Sequence, residues 1–71
     1  MSYFGFVRVK KNCALDIYHW FKDNGFVASY PLPLSPFLSE IFLSDVTLDQ
    51  RTFCTDYLSY VYGVFPDFYE S

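Results

Sequence analysis

The sequence feature that most limits how this chain can fold is its large number of aromatic residues. Its 71 residues include nine Phe, seven Tyr and one Trp, which is seventeen rings in all. A domain of this size encloses a small core, and large rings are one way to fill it. Seventeen rings are more than such a core hides, and tyrosine tolerates a half-solvated position. The sequence therefore predicts one globular domain, residues 1–71, in which surplus rings form a contact surface with a partner or within a homodimer.

The order of strand and helix patterns predicts the fold class. Short apolar or alternating segments indicate strands, and apolar residues spaced at about 3.6 indicate helices. The predicted elements are, in chain order, a strand over Tyr3–Lys10, a helix from Cys13 to about Asn24, a strand over Phe26–Tyr30, a strand over Phe37–Asp45, a helix from Thr47 to Tyr62 and a short strand over Val64–Tyr69. This order indicates an α+β domain of ferredoxin-like βαββαβ order, with an antiparallel sheet and two helices on one face.

The segment 36–44 is open to a second interpretation. Pro36 suits the first position of a helix, so the alternative is a small α/β domain with a third helix at 36–44. The ends of the other helices follow from capping residues. Asn12 is a good N-cap for the first helix, and Thr47 with Gln50 matches a capping box for the second. Gly63 predicts the end of the second helix.

The charge of the chain is acidic and uneven. Residues 1–25 hold four basic and two acidic side chains, a net charge of +2. Residues 26–71 hold Arg51 against six acidic side chains, a net charge of −5, which gives −3 for the whole chain. Binding to nucleic acid needs a basic face, so this balance argues against direct nucleic-acid binding. It favours a protein partner with a basic surface.

Several classes of protein are excluded by what the sequence lacks. Two cysteines without a CxxC pair do not make a disulfide framework. There is no apolar run of about 18 residues, so no membrane partner is expected. The first residues do not match a secretory signal, and we expect a cytoplasmic location. No phosphate loop, dinucleotide fingerprint or nucleophile elbow occurs, so we expect no cofactor.

The polar face of the first predicted helix carries the best candidates for chemistry. Asp16, His19 and Asp23 lie at i, i+3 and i+7, a spacing that suits a metal site or a base oriented by a carboxylate. Cys13 lies at the start of that helix, where a thiol is activated. A solvated polar face explains the first three residues better, because His19 is the only histidine and no further ligand is indicated, and a half-buried inert thiol better explains Cys13. We therefore predict neither an enzyme nor a metal site.

The second predicted helix carries the candidate contact surface. Acidic residues follow one edge of it, and tyrosines crowd its end. The predicted partner-binding residues are Asp45, Asp49, Asp56, Tyr60, Tyr62 and Tyr69. A row of carboxylates flanked by hydroxyl groups presents charge as a nucleic-acid backbone does. The sequence thus suggests a small non-enzymatic binding protein, such as a phage-type inhibitor that occupies the surface of a nucleic-acid-binding host protein.

The first predicted strand supports an alternative function. Phe4 and Phe6 lie on one face of it, and Arg8, Lys10 and Lys11 are nearby. Exposed strand aromatics with basic neighbours are typical of sheets that stack RNA bases. The alternative is therefore a regulatory module that binds RNA or a small ligand on its sheet.

Overall fold

Two long antiparallel strands form the centre of the molecule, which the computed structural model describes over all 71 residues. They are β1 (Tyr3–Lys10) and β4 (Leu38–Val46). Along both strands buried and exposed residues largely alternate, because successive side chains of a strand point to opposite faces of the sheet. The strand predicted over 37–45 is therefore confirmed, and the alternative of a third helix at 36–44 is wrong.

The remaining elements complete an α+β fold. They are a 3-10 helix (Lys11–Cys13), α1 (Ala14–Asp23), β2 (Val27–Ala28), β3 (Leu32–Pro33), α2 (Leu48–Tyr62) and β5 (Asp67–Glu70). The sheet is antiparallel throughout and has the order β2-β4-β1-β5, with β3 also paired to β4. The chain thus folds as a small α+β domain with a five-stranded antiparallel sheet and two α-helices.

The strand predicted over Phe26–Tyr30 differs from the structure, and a strict βαββαβ order is not met. Within this range only Val27–Ala28 form a strand, β2, and a second short strand, β3, follows after Pro31. The hydroxyl oxygen of Ser29 accepts a hydrogen bond from the Phe42 N–H at 2.9 Å, in place of a strand carbonyl. Pro31 then follows without an N–H to donate. These two residues separate β2 from β3, and each of the two strands pairs with β4.

Both helices cover the same face of the sheet. Alternate side chains of β1 and β4 point into one hydrophobic core, and so do the buried side chains of α1 and α2. The fully buried residues with the largest side chains are Phe21, Ile17, Ile41, Leu58, Val7, Val9, Val46 and Cys54. Since these residues belong to one cluster, the opposite face of the sheet is left without a helix.

The helix ends follow the predicted capping at two of the three predicted positions. The capping box is confirmed: the Gln50 N–H donates to Thr47 Oγ1, and the Thr47 N–H donates to Gln50 Oε1. Gly63 ends α2 with a φ of 68°. The prediction of Asn12 as an N-cap is wrong. This residue lies inside the 3-10 helix that precedes α1, and no side chain caps α1.

Candidate functional site

One side of α2 alternates acidic and aromatic side chains. Asp49, Phe53, Asp56 and Tyr60 follow one another at spacings of four, three and four residues, so they share one side of the helix. All four side chains are exposed, and Tyr60 is 91% exposed. We call these four residues the α2 stripe. Its two rings contribute little to the core and are free to meet another molecule.

The segment after α2 turns this side of the helix into a shallow groove. The groove is lined by Phe53, Asp56, Tyr57, Ser59, Tyr60 and Phe65. Phe65 is 70% exposed, so its ring also adds little to the core. The groove therefore offers flat apolar surfaces on both sides of a carboxylate.

Contact between the two helices supports the rings of the groove. Trp20 of α1 stacks on Tyr57, with ring centroids 4.1 Å apart and planes 3° from parallel. Trp20 also stacks on Phe53, with centroids 5.4 Å apart. Each such pair contributes about 0.5–1.5 kcal/mol beyond its buried area. The stacking holds Phe53 in place, although the outer part of its ring stays in solvent.

The carboxylates of the α2 stripe form no ion pair within the molecule. Arg51 is the only basic residue in the second half of the chain. Its guanidinium carbon lies 5.0 Å from the ring centroid of Tyr3 and 5.9 Å from that of Phe68, over rings packed on the core side. The single ion pair of the molecule lies on the sheet. The charges of Asp49 and Asp56 are therefore free to pair with a partner.

Two of the predicted contact residues lie away from the α2 stripe. Asp45 is exposed at the end of β4, where the pairing with β1 shifts by one residue and its own φ is 52°. Tyr62 is half-buried, and its ring centroid lies 6.2 Å from that of Tyr57. Burial, and then the neighbouring Tyr57, raise the pKa of the Tyr62 hydroxyl. Tyr62 thus belongs to the packing at the end of α2.

Tyr69 lies on the other side of the sheet. It pairs with Phe4 across β5 and β1, and their ring centroids are 5.6 Å apart. This side of the sheet is opposite to both helices. Of the six predicted contact residues, the structure therefore brings together only Asp49, Asp56 and Tyr60.

Two residues of the groove are not among the predicted contact residues. Phe53 belongs to the apolar arc of the predicted helix, and Phe65 belongs to the aromatic segment after it. The core-facing side of α2 is centred on Cys54 and Leu58, which are fully buried. Phe53 lies more than a quarter turn from that centre. The repeat of the α2 stripe at i, i+4, i+7 and i+11 is the signal that identifies Phe53.

The residues considered for chemistry are scattered over the surface and the core. Asp16, His19 and Asp23 are exposed on α1, and Cys13 is half-buried. No three His, Cys, Asp or Glu side chains are grouped closely enough to hold a metal ion. Cys54 is buried, and burial raises the pKa of its thiol to about 11. Neither α-helix has the length and apolar character needed to span a lipid bilayer.

Comparison of this chain with protein-family models, with curated protein sequences and with solved structures gave no significant match.

Proposed function

We propose that this chain is a small non-enzymatic binding protein that docks on the basic surface of another protein through the α2 stripe and the groove beside it. The observation that carries this proposal is the alternation of unpaired carboxylates and exposed rings on one side of α2. A guanidinium group pairs with a carboxylate and also stacks on an aromatic face. An arginine side chain of the partner would therefore pair with a carboxylate of the α2 stripe and stack on one of its rings at the same time.

The class of partner follows from this chemistry. Proteins that bind nucleic acid carry arginine and lysine side chains spaced to meet successive phosphates. The carboxylates of the α2 stripe, Asp49 and Asp56, are seven residues apart, which is about 10.5 Å along a helix. We infer that the chain occupies such a phosphate-binding surface and competes with nucleic acid for it, as a phage-type inhibitor of a host protein does.

We also infer that the fold is an interrupted form of the ferredoxin-like arrangement. Both β2 and β3 pair with the same side of β4, and β4 and β5 flank β1. If β2 and β3 together take the place of one strand, the sheet acquires the strand order of that arrangement. The interruption at Ser29 and Pro31 is then a local feature of one outer strand.

The proposal is tested by capture of partners with charge-reversed variants. The immobilised chain is exposed to a cell lysate, and the captured proteins are identified by mass spectrometry. The variant Asp49→Lys/Asp56→Lys is compared with Asp16→Lys/Asp23→Lys, which makes the same change of charge on exposed positions of α1. We expect the first variant to lose at least about nine-tenths of the captured nucleic-acid-binding proteins, since each lost ion pair at an interface weakens binding severalfold.

The matched variant separates local contact from overall charge. We expect Asp16→Lys/Asp23→Lys to retain capture, because α1 carries no comparable row of rings beside its carboxylates. Equal capture by the wild-type chain and by Asp49→Lys/Asp56→Lys would exclude the α2 stripe as the contact surface. Equal loss in both variants would mean that net charge alone drives the capture.

A further inference from the structure

The face of the sheet opposite to the helices carries a continuous row of aromatic rings. The ring centroids of Phe6 and Phe42 are 6.3 Å apart, those of Phe6 and Tyr69 are 6.5 Å apart, and those of Phe4 and Tyr69 are 5.6 Å apart. These four rings cross three neighbouring strands, β4, β1 and β5. We call this side of the sheet the open sheet face.

Other apolar side chains extend the open sheet face towards β2 and β3. Val27 lies opposite Ser44, and Leu32 lies opposite Glu40, so both point to the same side as the rings. Val27 is 53% exposed and Leu32 is 48% exposed. No element of the chain covers this surface, since α1 and α2 both lie on the other side. An apolar patch of this kind on a small domain marks an interaction surface.

The charges of the open sheet face are balanced, unlike those of the whole chain. Arg8 and Lys10 of β1 point to this side, and so do Glu40 of β4 and Asp67 of β5, which gives a net charge of zero. The Nε of Arg8 donates to a Glu40 carboxylate oxygen at 3.0 Å. In a two-fold symmetric dimer, the same surface of both copies meets. A surface with no net charge can pack in this way without electrostatic repulsion. The acidic α2 stripe would repel a second copy of itself.

The area of the open sheet face is sufficient for a small dimer. β1 has eight residues, which span about 26 Å, and four strands side by side span about 19 Å. Because β2 and β5 are shorter than β1, one copy contributes at most about 500 Å². Two copies bury at most about 1,000 Å², the size of a weak interface. An interface of this size predicts a dimer that dissociates in dilute solution.

We propose that the open sheet face packs against the same face of a second copy of this chain and forms a two-fold symmetric dimer. The apolar surface, the balanced charge and the area of the open sheet face favour a second copy of the chain, rather than RNA, as the molecule that binds there. An RNA-binding sheet needs several free basic groups around its rings. On this face Arg8 is already paired, Lys10 is the one unpaired basic residue of β1, and two carboxylates are present. The proposal concerns a surface separate from the α2 stripe and does not depend on the function proposed above.

The proposal is tested by sedimentation equilibrium of the full chain over a range of concentrations. The mass of one chain is 8.4 kDa. We expect the average mass to rise towards twice this value as concentration increases from about 1 μM to about 1 mM, the range in which small interfaces dissociate. A mass that stays at that of one chain up to about 1 mM would overturn the proposal.

Two variants place the dimer on the open sheet face. Phe42→Glu and Phe4→Glu each bring a charge onto this face at a position that is nearly half exposed, so the fold tolerates them. Each substitution occurs twice in a symmetric dimer, and we expect the dissociation constant to rise at least about a hundredfold. Circular dichroism confirms that each variant is folded, and a folded variant that dimerises as before contradicts the proposal.

A control and a competing ligand complete the experiment. Phe65→Glu changes a ring in the groove beside α2 that is more exposed than Phe4 or Phe42, and we expect it to leave the dissociation constant of the dimer unchanged. A labelled uridine decamer at low salt is the probe for RNA. Binding of this probe to the wild-type chain as a monomer, lost in Phe4→Glu, would replace the dimer by an RNA-binding face.

Discussion

At the scale of single residues, four tyrosines close together in the sequence have different surroundings. Tyr57 stacks on Trp20, whereas Tyr60 is almost wholly in solvent. Tyr62 is half-buried, and Tyr69 lies on the open sheet face. The difference arises from geometry, since each step along a helix turns a side chain by 100° and each step along a strand reverses it. Of these four, only Tyr60 and Tyr69 are more than half exposed, at 91% and 51%.

The two cysteines provide a prediction at this scale. The thiol of Cys54 is fully buried, and its pKa rises from 9.0 to about 11. At about pH 8 the reactive thiolate of Cys54 is then about a hundredfold rarer than at an ordinary thiol. We expect iodoacetamide to alkylate the half-buried Cys13 in the native protein and to leave Cys54 unmodified until urea unfolds the chain. Peptide mass spectrometry measures both sites, and rapid native labelling of Cys54 would contradict its burial.

The same pKa shift has a consequence for stability. The folded chain holds the Cys54 proton more tightly than the unfolded chain does, because burial disfavours the thiolate. This contribution to the free energy of unfolding is complete below the ordinary pKa of 9.0 and is lost as the pH rises towards about 11. The raised pKa of Tyr62 acts in the same direction.

At the scale of elements, the docking of β5 on β1 depends on a glycine. Gly5 lies opposite Phe68, and a Cβ at this position would collide with the carbonyl oxygen of Asp67 and approach the Phe68 ring to 2.9 Å. We expect Gly5→Ala to separate β5 from β1 and to lower the free energy of unfolding by about 1–3 kcal/mol. Tyr69 would leave the open sheet face together with its strand.

Hydrogen exchange measures this effect strand by strand. In Gly5→Ala we expect the amides of β5 to exchange faster, while the amides that join β1 to β4 keep their protection. Ser44→Ala is the control, since Ser44 is an exposed residue of β4 and its replacement adds no atoms. Unchanged protection of residues 67–70 in Gly5→Ala would show that the close approach of the two strands is not required.

Elements with strong local signals are the ones that the sequence predicts well. β1 alternates over its whole length, and α2 has a capping box at one end and Gly63 at the other. The second strand was less predictable, because its interruption depends on a bond between the Ser29 side chain and a distant strand. The side on which Tyr69 lies was also not predictable, since it depends on the register between β5 and β1, more than sixty residues apart.

Helical geometry also decides which residues of the candidate site are predictable from the sequence. Asp49, Asp56 and Tyr60 are found together because helical periodicity is regular and can be counted along the sequence. The exposure of Phe53 depends on how α2 rotates against the sheet, and that rotation is fixed by the burial of Cys54 and Leu58. Local sequence does not determine this rotation, because eight of the fifteen residues of α2 are apolar or aromatic.

At the scale of the whole molecule, the surplus rings form two surfaces on opposite sides. One is the acidic groove beside α2, and the other is the neutral open sheet face. The core between them contains the rings of Phe21 and Phe26 and the inner parts of Trp20 and Tyr57. The two proposed contacts, with a second copy and with a basic partner, therefore use separate surfaces and do not block one another.

The most direct test of the central claim is a titration of the ¹⁵N-labelled chain with an arginine-rich peptide, followed by amide chemical shifts. The account predicts shift changes confined to the α2 stripe and Phe65, together with weaker binding of a lysine peptide of equal length, because lysine stacks poorly on rings. Tyr60→Ala should weaken binding of the arginine peptide about threefold to tenfold, and Tyr30→Ala, an exposed tyrosine elsewhere, should not. Shift changes spread over all acidic residues, or located on the open sheet face, would contradict the account.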